Sequence, residues 1–303
     1  MKAAALALVA AACGGAGRAR QVPATKPAAH VVTGTEHMLA LLPDGAELIV
    51  EIDLARLRKN PVVGDVATKA LAQLGADAKI PGLPLATQGS PLAGADTIVM
   101  AAYGVGTAQA ATLTLLQTKQ DLPASMRIAP ELVAIGPDEW TGQLASRAAI
   151  DAQHALAPSE DLLRLRDHAM PPGATGAVFR VTARLPFDAR IAFARQTGLD
   201  AAPAQLSIWA DIADDLAVVV DADAADPGDK AGREAAKRLA GTIRGTLASV
   251  ADDPTVRALG VPTSLTDAHL VTQGTWVRAI VAVGPHHLQR AVERARAMLG
   301  PSS

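Results

Sequence analysis

The chain has 303 residues, half of them hydrophobic, and a formal net charge of −2, which allows one large domain or two ordinary ones with ample core. Lys and Arg are scattered, with no basic stripe to follow a phosphate backbone, which argues against a nucleic-acid partner. Aromatic residues make up only 2% of the chain, which argues against stacking platforms for bases and aromatic walls for sugars.

The first segment, residues 1–12, has a single basic residue, Lys2, followed by small and apolar residues ending in Ala10-Ala11-Ala12. It is too short to span a bilayer, which needs roughly 20 residues, and has the layout of a signal peptide. Cys13 is the sole cysteine, so an intramolecular disulfide is ruled out. Three small residues before Cys13 and Gly14-Gly15 after it resemble the lipobox of bacterial lipoproteins, although Ala10 stands where that family usually has Leu. The resemblance implies cleavage before Cys13 and diacylation of its thiol, so that the protein meets the membrane through an N-terminal diacylglyceryl cysteine. Two acyl chains anchor stably where one is marginal. Gly14, where retention at the inner membrane calls for Asp, implies the outer membrane and a body facing the periplasm. Ala10-Ala11-Ala12 also fits ordinary signal peptidase, which would release a soluble periplasmic protein. A misassigned start in an Ala-rich cytoplasmic protein is a third reading. Residues 13–36, rich in Gly, Pro, Ala and Thr without apolar periodicity, read as a flexible tether.

The remainder reads as α+β: two homologous units, 37–150 and 151–303, each an antiparallel sheet of hairpins with helices packed on one face. The block Gly45–Leu57 aligns without gaps against Gly173–Leu185, each after a proline turn. The block Ala134-Ile135-Gly136-Pro137 aligns with Ala282-Val283-Gly284-Pro285, where a strand ends at Gly and a helix begins at Pro. Those helices keep one apolar face: Trp140, Leu144 and Ala148 in the first, Leu288, Val292, Ala295 and Leu299 in the second. Adjacent strand pairs are expected at Asp96–Tyr103 with Ala111–Thr118, Gln205–Ile212 with Leu216–Asp223, and Ser264–Thr272 with Thr275–Val283. The separators Gly104-Val105-Gly106, Ala213-Asp214-Asp215 and Gln273-Gly274 have hairpin-turn chemistry. An amphipathic helix near 229–250, with Ala235, Leu239, Ile243, Leu247 and Val250 on one stripe, reads as an insertion in the second unit.

The lipobox-like start, the tether, Leu42-Pro43-Asp44-Gly45-Ala46 and then Asp53-Leu54-Ala55-Arg56-Leu57 together resemble uncharacterised envelope lipoproteins of myxobacteria-like lineages. That resemblance covers most of the chain, and its motifs are structural. It brings no catalytic residues.

The sequence holds no Gly-x-Ser-x-Gly elbow, Walker A loop, His-Glu-x-x-His or paired Cys-x-x-Cys, and it suggests no cofactor or metal. Asp221, Asp223, Asp226 and Asp229 form the densest carboxylate cluster, but their register does not match an EF-hand, and they read as a strand exit and helix start. His286-His287 point about 100° apart on a helix, which is poor geometry for one metal. His30, His37, His154, His168 and His269 have no acid or hydroxyl motif beside them, and Trp140, Trp209 and Trp276 read as core residues. Three readings of function remain. The first is a non-enzymatic envelope lipoprotein binding an envelope protein or lipid. The second is a periplasmic small-ligand or lipid-binding module. The third is an enzyme whose site is assembled from distant residues.

Overall fold

The computed structural model describes residues 34–73, 92–122, 125–154, 157–197, 201–224 and 229–300. Cys13, the expected signal peptide and the expected tether up to residue 33 lie outside them.

The strands are β1 (Leu48–Asp53), β2 (Ala95–Tyr103), β3 (Ala111–Thr118), β4 (Met126–Ala129) and β5 (Leu132–Ile135), then β6 (Phe179–Arg184), β7 (Gln205–Ile212), β8 (Leu216–Asp223), β9 (His269–Gln273) and β10 (Trp276–Val283). Among the described residues they form one ten-stranded antiparallel sheet in the order β4-β5-β3-β2-β1-β6-β7-β8-β10-β9. The expected hairpins β2/β3 and β7/β8 are present, with Ile212 opposite Leu216 across the second turn. The third is shorter than expected. Ser264 and Leu265 belong to a helical turn opened by Pro262, because Leu265 is needed in the core.

The helices among the described residues are α1 (Gly34–Leu41), α2 (Leu54–Lys59), α3 (Gly64–Gln73), α4 (Asp138–His154) and α5 (Glu160–Arg166), then α6 (Phe187–Thr197), α7 (Asp229–Ala251), α8 (Pro254–Leu259), α9 (Pro262–Thr266) and α10 (Pro285–Leu299). The expected start of the first unit at 37 falls inside α1, where Glu36 is already buried, and the expected boundary at 150 falls inside α4.

The expectation of helices on one face is corrected. Side chains alternate across a strand, and here both faces of the sheet's first half are apolar. Leu48, Val50 and Ile52 of β1 point to what we term the front face, and Ile49, Glu51 and Asp53 point to the back. On the front, Ile98, Leu116 and Val133 pack under α2 and α3. On the back, Val99, Ala101, Leu113 and Leu115 pack under α1 and α4 through Met38, Leu41 and Leu144. Each apolar face needs its own cover. The second half is covered on the front by α6 through α10, with α7 contributing Leu239 over Ala222 and Val277. Its back face is covered by α5 and the segment that follows, where Ala169 and Met170 lie on Trp209 and Val219.

The expectation of two separate sheets is also corrected, because β1 pairs with β6 in the middle and continues the ladder. A side chain also links the two halves of the sheet, from the end of α2 to the β7–β8 turn. Asn60 Nδ2 donates to the carbonyls of Ile212 and Ala213 at 3.0 and 2.9 Å.

Candidate functional site

The candidate site is a cavity of about 360 Å³ on the back face, above the β1–β6 junction. Its floor is Glu51 and Asp53 of β1 with Arg180 of β6, and Glu51 lies directly opposite Arg180 in the register. Its roof comes from the start of α1, the last residue of α5 and the segment 167–177.

Local structure explains how each charge arrives. Ser159 caps α5 by accepting the Leu162 N–H, and the helix ends at Arg166 over β1. Arg166 Nε donates to Glu51 at 2.8 and 3.0 Å and Nη2 donates at 2.8 Å, a bidentate pair almost closed to water. Glu36 and Asp167 stand 3.7 and 3.5 Å from the same guanidinium. Burial pulls Arg166 down, but the Glu51 hydrogen bonds and charge, with Asp167 and Glu36, carry it above the usual arginine value. Arg180 goes the other way: burial and the adjacent Arg166 charge hold it below the usual value. Its Nη1 meets Asp167 and, at 3.5 Å, the Arg166 carbonyl, while among the described residues Nη2 finds only the Met170 sulfur at 3.4 Å. Ser207 Oγ accepts the Ala169 N–H and donates to the Arg166 carbonyl, both at 3.2 Å, which pins the roof to β7.

Arg56 stands at the rim. Asp53 Oδ1 caps α2 by accepting the Arg56 N–H at 2.7 Å, while the guanidinium donates to both oxygens of Asp211 at 2.8 and 2.5 Å. A side chain at Gly176 would lie 2.8 Å from Arg56 Nη1, so this position stays bare for the arginine to pass. The Gly176 carbonyl in turn accepts the Trp209 indole N–H at 2.8 Å.

Beside the cavity, His168 stacks on Trp276 with ring centroids 4.0 Å apart and shares a 2.8 Å hydrogen bond with buried Asp221. Arg278 donates to both Asp221 oxygens and to the His168 carbonyl. Its hydrogen bond to Asp221 raises the Arg278 pKa further. Trp276 is thus not a core residue as expected, whereas Trp209 is buried and Trp140 packs edge-on to Tyr103.

The other singled-out residues stay apart. Cys13, His30 and Asp226 lie outside the described residues. Gly104-Val105-Gly106 is a hairpin turn, and the Val105 N–H donates to Glu47. Asp221 and Asp223 lie at the end of β8 and Asp229 is the first residue of α7, in line with the reading of a strand exit and a helix start. His286 and His287 are exposed with ring centroids 6.3 Å apart. Among the described residues, no three His, Cys, Asp or Glu side chains are grouped to hold a metal.

Glu51, Arg166, Arg180 and Asp211 were not reached by motif reasoning. One signal was available: Glu51 and Arg180 are charges inside strands with apolar residues on either side, Val50 and Ile52 around the first and Phe179 and Val181 around the second.

No protein-family model matches the chain, and no curated protein matches it. Among solved structures, the fold is similar to "Structure of crystal form I of TP0453", with a TM-score of 0.42 and 7% sequence identity over 85% of this chain and 96% of that one.

Proposed function

We propose that the protein is a lipid-anchored cell-envelope protein whose folded body is a non-enzymatic binding or interaction module. The observation that carries the second half of this reading is how three acids at and beside the cavity are held. Glu51 is held by Arg166, Asp211 by Arg56, and Asp221 by both Arg278 and His168. A carboxylate whose oxygens already accept hydrogen bonds from a guanidinium is poorly placed to take a proton from a substrate, which makes it a poor general base. The first half rests on Cys13 and its lipobox-like approach. Residues 14–33 separate that cysteine from α1, and they would let the body stand up to about 70 Å from the anchor at full extension. Membrane association of the intact chain, lost in Cys13→Ser, supports the reading. Equal partitioning of both forms contradicts it.

We read the body as a duplicated unit. Counted outward from the middle, the strands run β1-β2-β3-β5-β4 on one side and β6-β7-β8-β10-β9 on the other. β1 and β6 are each followed by a helix on the front face. The helices after β5 and β10 depart from the pattern, since α4 covers the back and α10 the front. In this reading α7 is material added to the second copy. Sequences of relatives test it: Gly45–Leu57 and Gly173–Leu185 should remain more alike than unrelated strand blocks, and no such excess would contradict it.

A further inference from the structure

We propose that the cavity over the β1–β6 junction binds a small zwitterion carrying one carboxylate and one ammonium group. This rests on the binding-module reading and not on the anchor.

The cavity is large and converges from distant parts of the chain. Its 360 Å³ far exceeds the roughly 10–15 Å³ needed by one water and falls within the range of small-ligand pockets. The side chains of Arg166, Arg180, Glu36 and Glu51 are 8, 7, 9 and 6% exposed. Burying such groups is a poor route to stability, because apolar residues of similar volume generally serve as well. A polar site therefore needs another reason.

The two ends of the ligand follow from the hydrogen bonds left unmade. A guanidinium carries five N–H donors, and a thioether is a weak acceptor. Among the described residues Arg180 Nη2 has only that thioether, and the nearby Arg166 charge disfavours a second buried cation beside it. A ligand carboxylate against Arg180 supplies the missing acceptor and relieves the repulsion. At the rim, Asp53 Oδ1 is taken by the α2 cap, while Oδ2 makes no hydrogen bond among the described residues. A ligand ammonium supplies the missing donor. The lining balance agrees: three guanidinium groups face four carboxylates, those of Glu36, Glu51, Asp53 and Asp167. A plain anion would meet that acidic excess, and a plain cation would meet Arg180.

The test is calorimetric titration of the full chain with L-alanine, L-glutamine and L-glutamate, each beside its N-acetyl and α-carboxamide forms. At least one free amino acid should bind, with both capped forms weaker by tenfold or more. Arg180→Gln should abolish binding. So should Thr175→Trp, which fills the exposed rim without touching an ion pair and should leave the melting temperature unchanged. No binding of any free amino acid at millimolar concentration overturns the proposal. Equal binding of a capped form overturns it too, since the site would then read one charge only. Binding that survives Thr175→Trp places the ligand elsewhere and overturns it. Nuclear magnetic resonance of the recovered probe separates the two readings: unchanged probe is expected, while converted probe refutes the non-enzymatic reading and leaves the zwitterion site standing.

Discussion

Consider the replacement of Glu51 by Leu, of Arg166 by Met, and of both together. In the first variant, Arg166 loses three hydrogen bonds of 2.8–3.0 Å and, among the described residues, keeps Asp167 at 3.5 Å and Glu36 at 3.7 Å. In the second, Glu51 is left 4% exposed without its bidentate partner. Breaking a buried pair from one side typically costs about 3–5 kcal/mol, because an uncompensated charge remains out of water. Replacing both partners by apolar residues of similar volume removes the charges along with their desolvation cost, and the double variant should lie within about 1 kcal/mol of the parent. At about 2–4 °C per kcal/mol for a domain of this size, each single change lowers the melting temperature by on the order of 10 °C. Urea unfolding followed by circular dichroism gives the coupling energy directly. Single losses below about 1 kcal/mol that simply add in the double variant would refute the burial of this pair.

Leu239, 2% exposed on the sheet-facing side of α7, should cost about 2–5 kcal/mol as Leu239→Ala, while exposed Arg244→Ala should stay within about 0.5 kcal/mol; thermal unfolding compares them. Gly260 ends α8 at φ 78°, and a side chain there would strike the Arg294 guanidinium, so Gly260→Ala should lose at least about 1–2 kcal/mol from the backbone strain alone. Burial raises the pKa of Tyr103, so folding favours its neutral form: this contribution to stability is full below about pH 10 and is lost as the pH rises above it. Because Tyr103 is the only tyrosine, tyrosinate absorbance should appear in the folded chain well above the pH at which the urea-unfolded chain shows it, and coincident titrations would contradict the burial.

The elements that were legible in the sequence are those whose signal is local. β2/β3 and β7/β8 were readable from alternation and turn residues, and α7 from an apolar stripe recurring every three to four positions. The β1–β6 pairing has no such signal, since a strand's sequence does not record which neighbour it takes, and so two sheets were expected where there is one. Helix side was hidden for a related reason. The stripe on α4 shows that it covers something, but not which face of the sheet it covers. The site was the least legible part. Arg166 reaches Glu51 across 115 residues and Arg56 reaches Asp211 across 155. His168, which no local motif marked, meets Asp221 only because the roof segment folds over β8. Only Glu51 and Arg180 announced themselves, as charges at strand positions flanked by apolar residues.

The most direct test of the envelope-lipoprotein reading is the intact mass of the protein purified from membranes of a bacterial host that carries the lipoprotein-processing enzymes. The account predicts a chain that begins at Cys13, lacks residues 1–12 and carries the added mass of a diacylglyceryl group on the thiol, with Cys13→Ser lacking that addition. A wild-type chain that retains residues 1–12, or that begins at Cys13 with an unmodified thiol, would contradict it.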